Sequence, residues 1–522
     1  MKKLTSFFSY ISGYWTHVFC LSLIVIGMPF SKFLMSLGTI SLIVNWFIEG
    51  GIKKKFIKFF RNKTALSLTG AYLIFVAGMI YSQNLEYGLK DLRIKIPLLA
   101  FPIVLSTTHR LKKSHYFLVV RLFTLSVIAS SLYGFLVYQN LLPAKKEILE
   151  LRDVSQFISH IRLSLMIVLS LFLIPKLFNQ SIGYKVFGVS SSLFLLYFLS
   201  FMESATGLVL GFVTLFLISL YYLFKKKNLY GFFMLAPILI GGTLVVQNLY
   251  STYTDIKIDT NNKSLLTKSG NPYDQNYFYD FFDNGNYAKD FVCEEELKEE
   301  WERISDLPFY PKENEKGAQF ILIRYLTSKG LKKDLEGVRQ LSDWDINNIE
   351  KGVPNYLHAS TNILARLHRL MFELDGYMAG VNASGNSLAQ RLEYWKVGTK
   401  IIKEKPWFGY GTGDVADVFE NQYLRNGTNL EAKYQLRSHN QYLSTAIAVG
   451  IIGLSFFLFC LLFPVGFGFK QRNYFYLICL CISLLSFFSE DTLETQDGVF
   501  FFTFLTNFFL FSSKNRYLKS VE

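Results

Sequence analysis

The sequence predicts an all-α polytopic membrane protein of about 12 transmembrane helices, with one large, mostly helical loop between the ninth and tenth. Three observations predict it. Only 18% of the 522 residues are charged and 51% are hydrophobic, whereas soluble domains carry roughly 25% charged residues. Apolar runs of about 17–25 residues, the length that crosses a bilayer, recur along the chain. Lysines and arginines gather in every second connecting segment, as the bias of positive charge toward the cytoplasmic side requires. The net charge of +14 therefore reads as membrane topology, and no nucleic acid partner is expected.

Spans are predicted near 14–30, 33–49, 64–82, 94–108, 115–138, 162–178, 184–203, 206–224 and 229–249, then near 440–465, 473–489 and 498–513. Lys2 and Lys3 precede an apolar run without a convincing small-residue cleavage site, so a retained first helix is expected rather than a signal peptide. With the N-terminus cytoplasmic, the inside segments carry Lys53, Lys54, Lys55, Lys58, Arg61 and Lys63, then Arg110, Lys112 and Lys113, then Lys176 and Lys185. Lys225, Lys226 and Lys227 follow, then Lys470 and Arg472, and finally Lys514, Arg516 and Lys519. The alternate loops are poor in positive charge, and the last of them, Glu490 to Asp497, is acidic. Both termini then fall on the cytoplasmic face. The expected organisation is 1–249 for helices one to nine, 250–438 for the outer loop, 439–513 for the last three helices and 514–522 for a cytoplasmic tail.

The segment 250–438 is far longer than the ~12–15 residues beyond which loops are usually functional or disordered. Its tryptophans, tyrosines and helical periodicity favour a folded unit, with helix expected over 318–350, 356–376 and 387–404. Pro406-Trp-Phe-Gly-Tyr-Gly-Thr-Gly413 then breaks into a glycine-rich turn; no lysine follows, so it is not a P-loop. Residues 255–315 are rich in Asn, Asp, Tyr and Phe and show no clear pattern. Cys20, Cys293, Cys460, Cys479 and Cys481 are scattered, which indicates neither a disulfide framework nor a zinc site.

The leading chemical candidate is His439, in His439-Asn440-x9-Gly450-x-x-Gly453 at the start of the tenth span. Imidazole can take a hydroxyl proton near neutral pH, and the glycines would admit another helix below. The bland alternative is an interfacial histidine with packing glycines behind it. Arg391 heads an amphipathic helix and Arg437 shares the seam with His439; guanidinium groups hold diphosphates bidentately, but in isolation a solvated arginine is the better reading of Arg391, and the bland alternative for Arg437 is a snorkelling interface anchor. Arg162, in Ser159-His-Ile-Arg-Leu-Ser-Leu165, begins a span on the outer face, where positive charge is disfavoured. Glu490, Asp491 and Glu494 crowd the last outer loop, to position an arginine, to serve as a second base, or to satisfy topology alone. Asp343-Trp-Asp345 has the form of a metal–diphosphate motif but sits in a charged helical stretch, where a helix N-cap is the better reading.

About twelve spans, a large loop before the tenth, Arg391-x3-Trp395 leading to Pro406-x2-Gly-x-Gly-x-Gly413, and the histidine motif together resemble the O-antigen ligase and polymerase superfamily of bacterial membrane glycosyltransferases. The motif-bearing part is roughly 387–513. The resemblance implies a bacterial inner-membrane enzyme whose large loop is periplasmic. It would transfer glycan from an undecaprenyl-diphosphate carrier to an acceptor hydroxyl on lipid A-core, a growing glycan or another molecule. His439 matches the family's essential loop histidine, acting as base or diphosphate ligand, and Arg391 matches its diphosphate-binding arginine, with Asn440 supporting. In place of the family's Ser-Arg-x-Gly, this chain has Ser204-Ala-Thr-Gly207, so Arg162 or Arg437 is expected to supply the missing cation. Arginines can neutralise the leaving diphosphate as a metal does elsewhere, so no metal and no cofactor are expected. Ligation is the leading reading and repeat-unit polymerisation the alternative. A lipid-linked glycan flippase fits less well, because internal repeats and charges deep in the helices are not evident.

Overall fold

The structure is a computed structural model that describes residues 2–513 except 149, 226–228, 255–264, 275–276, 280, 312–316, 361–362 and 429. The expected tail 514–522, and Lys226 and Lys227, lie outside the described residues. Among those described the chain is almost entirely helical, with a single two-stranded hairpin, Phe282–Asp283 against Asn286–Tyr287.

Each predicted apolar segment is a helix, its ends shifted by a few residues at most sites. Among the described residues, seven helices are long and apolar enough to cross a membrane, or eight if the pair Lys32–Ile48 and Ile52–Phe60 is one broken span. That makes the chain a multi-pass membrane protein. The two members of the pair meet at 110°, where Gly50 and Gly51 both take φ +66, a left-handed conformation that favours glycine. The expected span at 94–108 is an 11-residue helix, Pro97–Thr107, too short to cross a bilayer by itself. It packs on the last helix, Gln496–Phe511, through Phe101 against Phe500 and Phe504.

The chain divides into two compact units, Met1–Leu217 with Ala383–Glu522, and Ile218–Asn382. In the first, the helix Gln441–Lys470 is interrupted at Gly450 (φ 70, ψ −179). The glycine-rich stretch 406–413 fills this break. Tyr410 and Gly411 donate backbone N–H groups to Ile447 O and Ala448 O (2.8 and 2.9 Å), while Ile451 donates to Pro406 O at 2.7 Å. The stretch therefore satisfies polar groups that an interrupted apolar helix leaves open. Contact is so close that a Cβ on Gly450 would lie 2.1 Å from Trp407 O, and one on Gly409 2.4 Å from Ile447 O. Gly450 was expected to admit a neighbouring helix; it admits this strap instead. Gly453 does face a helix, since its Cβ would meet Ile74 at 3.4 Å.

The second unit has its own core of Leu297, Trp301, Leu322, Tyr325 and Ile349, among others. The expected helix over 318–350 is three short ones, Gln319–Lys329, Leu335–Arg339 and Asp343–Glu350. Gly330 (φ 70) ends the first, and Asp334 and Ser342 cap the next two. Asp345 completes a capping box with Ser342 and pairs with Lys329 at 2.7 Å, so the Asp-x-Asp pattern is helix-capping structure.

Candidate active site

The loop 487–495 between Tyr474–Ser486 and Gln496–Phe511 gathers charged side chains from four other elements. Glu490 receives Arg391 from the helix Ser387–Glu404 at 2.8 Å (Nη2 to Oε1). Its other oxygen lies 3.9 Å from Arg162 Nη2, on the helix His160–Leu177, and 3.9 Å from His439 Nδ1. Glu494 receives Arg437 at 3.3 Å and Lys95 at 2.9 Å, and Lys95 also pairs closely with Asp91 on its own helix, Leu85–Lys95. Between them, Asp491 accepts hydrogen bonds from Ser444 Oγ (2.9 Å) and Ser438 Oγ (3.3 Å).

These groups are buried. Arg162, Glu490 and Asp491 are 4%, 7% and 8% exposed, and Lys95 is fully enclosed. An unpaired charge in such surroundings costs several kcal/mol; Arg162, Glu490 and Lys95 have ionic partners here, and Asp491 is met by serine hydroxyls. Burial would raise the Glu490 carboxyl, yet the adjacent His439 and the charges of Arg162 and Arg391 outweigh it and hold it down at about 2. Asp491 goes the other way: burial pushes its carboxyl up, and Arg437 opposes this only in part. Glu494 is driven below the usual carboxylate range, because Lys95 and Arg437 overcome its burial.

His439 occupies the left-handed backbone region, φ +46, which is uncommon for a residue with a Cβ. Asn440 fixes that geometry as the N-cap of the kinked helix: its side-chain oxygen accepts from Tyr442 N and Leu443 N, and its amide donates to Phe488 O. Ser438 Oγ accepts from Asn440 N at 3.2 Å. The imidazole stacks on Tyr394, with ring centroids 5.6 Å apart and 27° between the planes. Tyr394 OH in turn donates to Tyr434 O at 2.7 Å. With Nδ1 toward Glu490, Nε2 is left for a ligand.

A cavity of about 740 Å³ opens in front of these groups, within the size range of small-molecule sites. Arg162, Arg437, His439, Glu490, Asp491 and Glu494 line its polar wall. Phe419 and Leu424, from the helix Val415–Asn426, and Leu436 line an apolar one.

The structure thus brings together Arg162, Arg391, Arg437, His439, Asn440, Glu490, Asp491 and Glu494, but it does not give the arginines equal parts. Arg391 commits all three guanidinium nitrogens to protein: Ser489 O, Ser387 O and Glu490. It does not line the cavity. Arg437 uses one nitrogen, Nη1, on Tyr87 and Glu494, and faces the cavity. Arg162 faces it too, held by Thr492 Oγ1 and Asp491 O. Near Ala205, Ser204 Oγ bonds Ser164 Oγ at 2.5 Å. Sequence reasoning missed Asp91, Lys95, Tyr87 and Tyr394. A signal for the first two was present, an i,i+4 acid–base pair just before an apolar run on the charge-poor side.

Fold and site define a multi-pass membrane protein with a buried, charge-matched cavity beside the broken end of an apolar helix. Residues 352–458 match the family model described as O-antigen ligase. This match, which contains Arg391, Arg437, His439, Gly450 and Gly453, places the segment in the O-antigen ligase and polymerase superfamily. An uncharacterised protein of Haemophilus influenzae is 29% identical over 123 residues, which are 23% of this chain and 29% of that protein.

Proposed function

We propose that the chain is a ligase-type glycosyltransferase that moves a glycan from an undecaprenyl-diphosphate carrier to an acceptor hydroxyl at the periplasmic face of the bacterial inner membrane. The observation that carries this reading is the convergence of His439, Arg162 and Arg437 on one cavity, in a chain whose segment 352–458 matches the O-antigen ligase family. In this reading both termini are cytoplasmic and 250–438 is the periplasmic loop.

Arg437 and Arg162 take the diphosphate, with guanidinium N–H groups on oxygens that gain charge as the bond to the sugar breaks. Arg391 acts through Glu490, holding it in place. The acceptor oxygen attacks the anomeric carbon, its proton passes to His439 Nε2, and the carrier leaves as its diphosphate. Glu490, ionised at neutral pH, stabilises the imidazolium that forms; this favours a base role for His439 over a purely ligand one. No metal takes part in this scheme. The apolar wall at Phe419, Leu424 and Leu436 suits the first units of a prenyl chain.

The test compares the surface glycan ladder of a deletion strain complemented with wild type or with His439→Asn. Asparagine tolerates the left-handed backbone but cannot accept the proton, so the ladder should disappear while the protein accumulates normally in membranes. A normal ladder refutes the assignment. In the deletion strain, accumulated carrier-bound polymer with uncapped acceptor indicates ligation, whereas acceptor capped with single units indicates polymerisation.

A further inference from the structure

The helix Ile52–Phe60 follows Lys32–Ile48 after the 110° bend at Gly50-Gly51. Where Lys32–Ile48 crosses the bilayer, such a bend turns the chain almost into the membrane plane, at the level where a 17-residue span ends. Packing holds the short helix in this attitude. Phe59 is buried, Lys55 pairs with Glu49 at 3.0 Å, and Lys58 donates to Thr107 O at 3.0 Å. Its other side is open and of two kinds. Ile52, Phe56 and Phe60 are exposed, Phe60 at 64%, and their spacing of four residues places them along one stripe. Ring contacts run without a gap from exposed Phe47 at the end of the span through Trp46 and Phe56 to Phe60. Beside the stripe, Lys53, Lys54 and Arg61 are exposed, and no acidic residue occurs in 50–63 or in the basic stretch 109–113 that follows Thr108. An apolar stripe continuous with the outer surface of a span suits acyl chains, and cations without carboxylates suit anionic headgroups.

We propose that Ile52–Phe60 lies in the membrane interface and gathers anionic phospholipid, with Ile52, Phe56 and Phe60 among the acyl chains and Lys53, Lys54 and Arg61 on headgroup phosphates. In the orientation proposed above this is the cytoplasmic leaflet. The inference does not depend on the glycan-transfer reading, and either can fail without the other. Lys55 and Lys58 have a different part in it: they fasten the helix to the protein, so that the open face meets the lipid at a fixed angle.

The experiment uses the full chain in nanodiscs of mixed phosphatidylglycerol and phosphatidylcholine, with a bimane fluorophore on Phe60→Cys. The chain without this substitution, labelled alike, sets the background from the natural cysteines. One or the other lipid carries brominated acyl chains, which quench the fluorophore only on contact. Quenching should be strong, and its division between the two lipids should show phosphatidylglycerol enriched at the helix about fivefold or more over the bulk mixture, the scale of one cation at an anionic surface. Adding Lys53→Gln, Lys54→Gln and Arg61→Gln should bring the enrichment to within about twofold of the bulk and leave the total quenching unchanged. Ile52→Cys, exposed on the same stripe, carries the fluorophore if the Phe60 variant does not fold. A fluorophore that neither lipid quenches overturns the proposal and marks the stripe as a docking face for a protein. Strong quenching with no preference for phosphatidylglycerol, or a preference that survives the three glutamines, overturns it as well.

Discussion

Glu490→Gln tests whether the acidic loop is the counter-ion of the site. The substitution keeps the shape of the side chain and one acceptor for Arg391, now 2.8 Å from Oε1, but removes the charge between Arg391, Arg162 and His439. Holding a carboxyl at about 2 instead of its usual 4.5 corresponds to about 3 kcal/mol, at roughly 1.4 kcal/mol for each tenfold change in proton affinity. An independent scale agrees: breaking a buried ion pair by removing one partner costs about 3–5 kcal/mol. The folded carboxyl is depressed, so its contribution is complete above about pH 4.5 and is lost as pH falls toward 2. Thermal unfolding of the full chain in detergent, followed by tryptophan fluorescence, should therefore show the variant well below wild type at pH 7. The gap should narrow to less than half as the pH is lowered to about 3. A gap of the same size at both pH values would refute the charge-pairing account and leave only a packing effect.

Three further outcomes follow from the same geometry. Lys95→Met leaves Asp91 and Glu494 buried without their shared ammonium and should cost about 3–5 kcal/mol; adding Asp91→Asn should recover part of that, measured as a double-mutant cycle of unfolding. Gly450→Ala places a Cβ 2.1 Å from Trp407 O in a backbone conformation suited to glycine, so it should lower the unfolding midpoint and expose the strap 406–413 to proteolysis. Arg162→Ala and Arg437→Ala should each weaken binding of undecaprenyl diphosphate by about tenfold or more, whereas Arg391→Ala should affect transfer more than carrier binding; intact activity in both of the first two variants would exclude them as substitutes for the arginine missing at Ala205.

How much was legible in the sequence depended on the range of the interaction. Apolar runs specify their own helices, and every predicted segment became one, because length and hydropathy are local properties. The short helix Leu85–Lys95 was not legible: it is polar, and the backbone leading into it is held from far away in the chain, where Asp414 accepts from Gln83 N and Asn84 N. The 110° bend after Ile48 was equally hidden, since Gly50-Gly51 reads as an ordinary loop. Pro406–Gly413 was recognisable as a turn, but its role in filling the break at Gly450 depends on a segment some 40 residues away in the chain. The site residues were visible singly. Their division of labour was not, because the contacts that commit Arg391 to Ser489 O and Glu490 span 98 and 99 positions.

That division has a physical consequence for how the site meets an anion. Three arginines and a lysine are held among carboxylates before any substrate arrives, so the cost of taking their charges out of water is already met in the folded chain. In the proposed transfer, a diphosphate entering the cavity would not have to order flexible side chains; it would compete with Glu494 for Arg437, and with Thr492 and the Asp491 carbonyl for Arg162. Arg437 retains nitrogens beyond Nη1 for such a ligand, and its partner Glu494 stays satisfied by Lys95 at 2.9 Å if the arginine turns away. Lys95 thus makes the exchange inexpensive without touching the substrate. The fixed dipoles and paired charges of the loop 487–495 then act as a preorganised environment, which stabilises developing charge without reorganising at the moment of reaction.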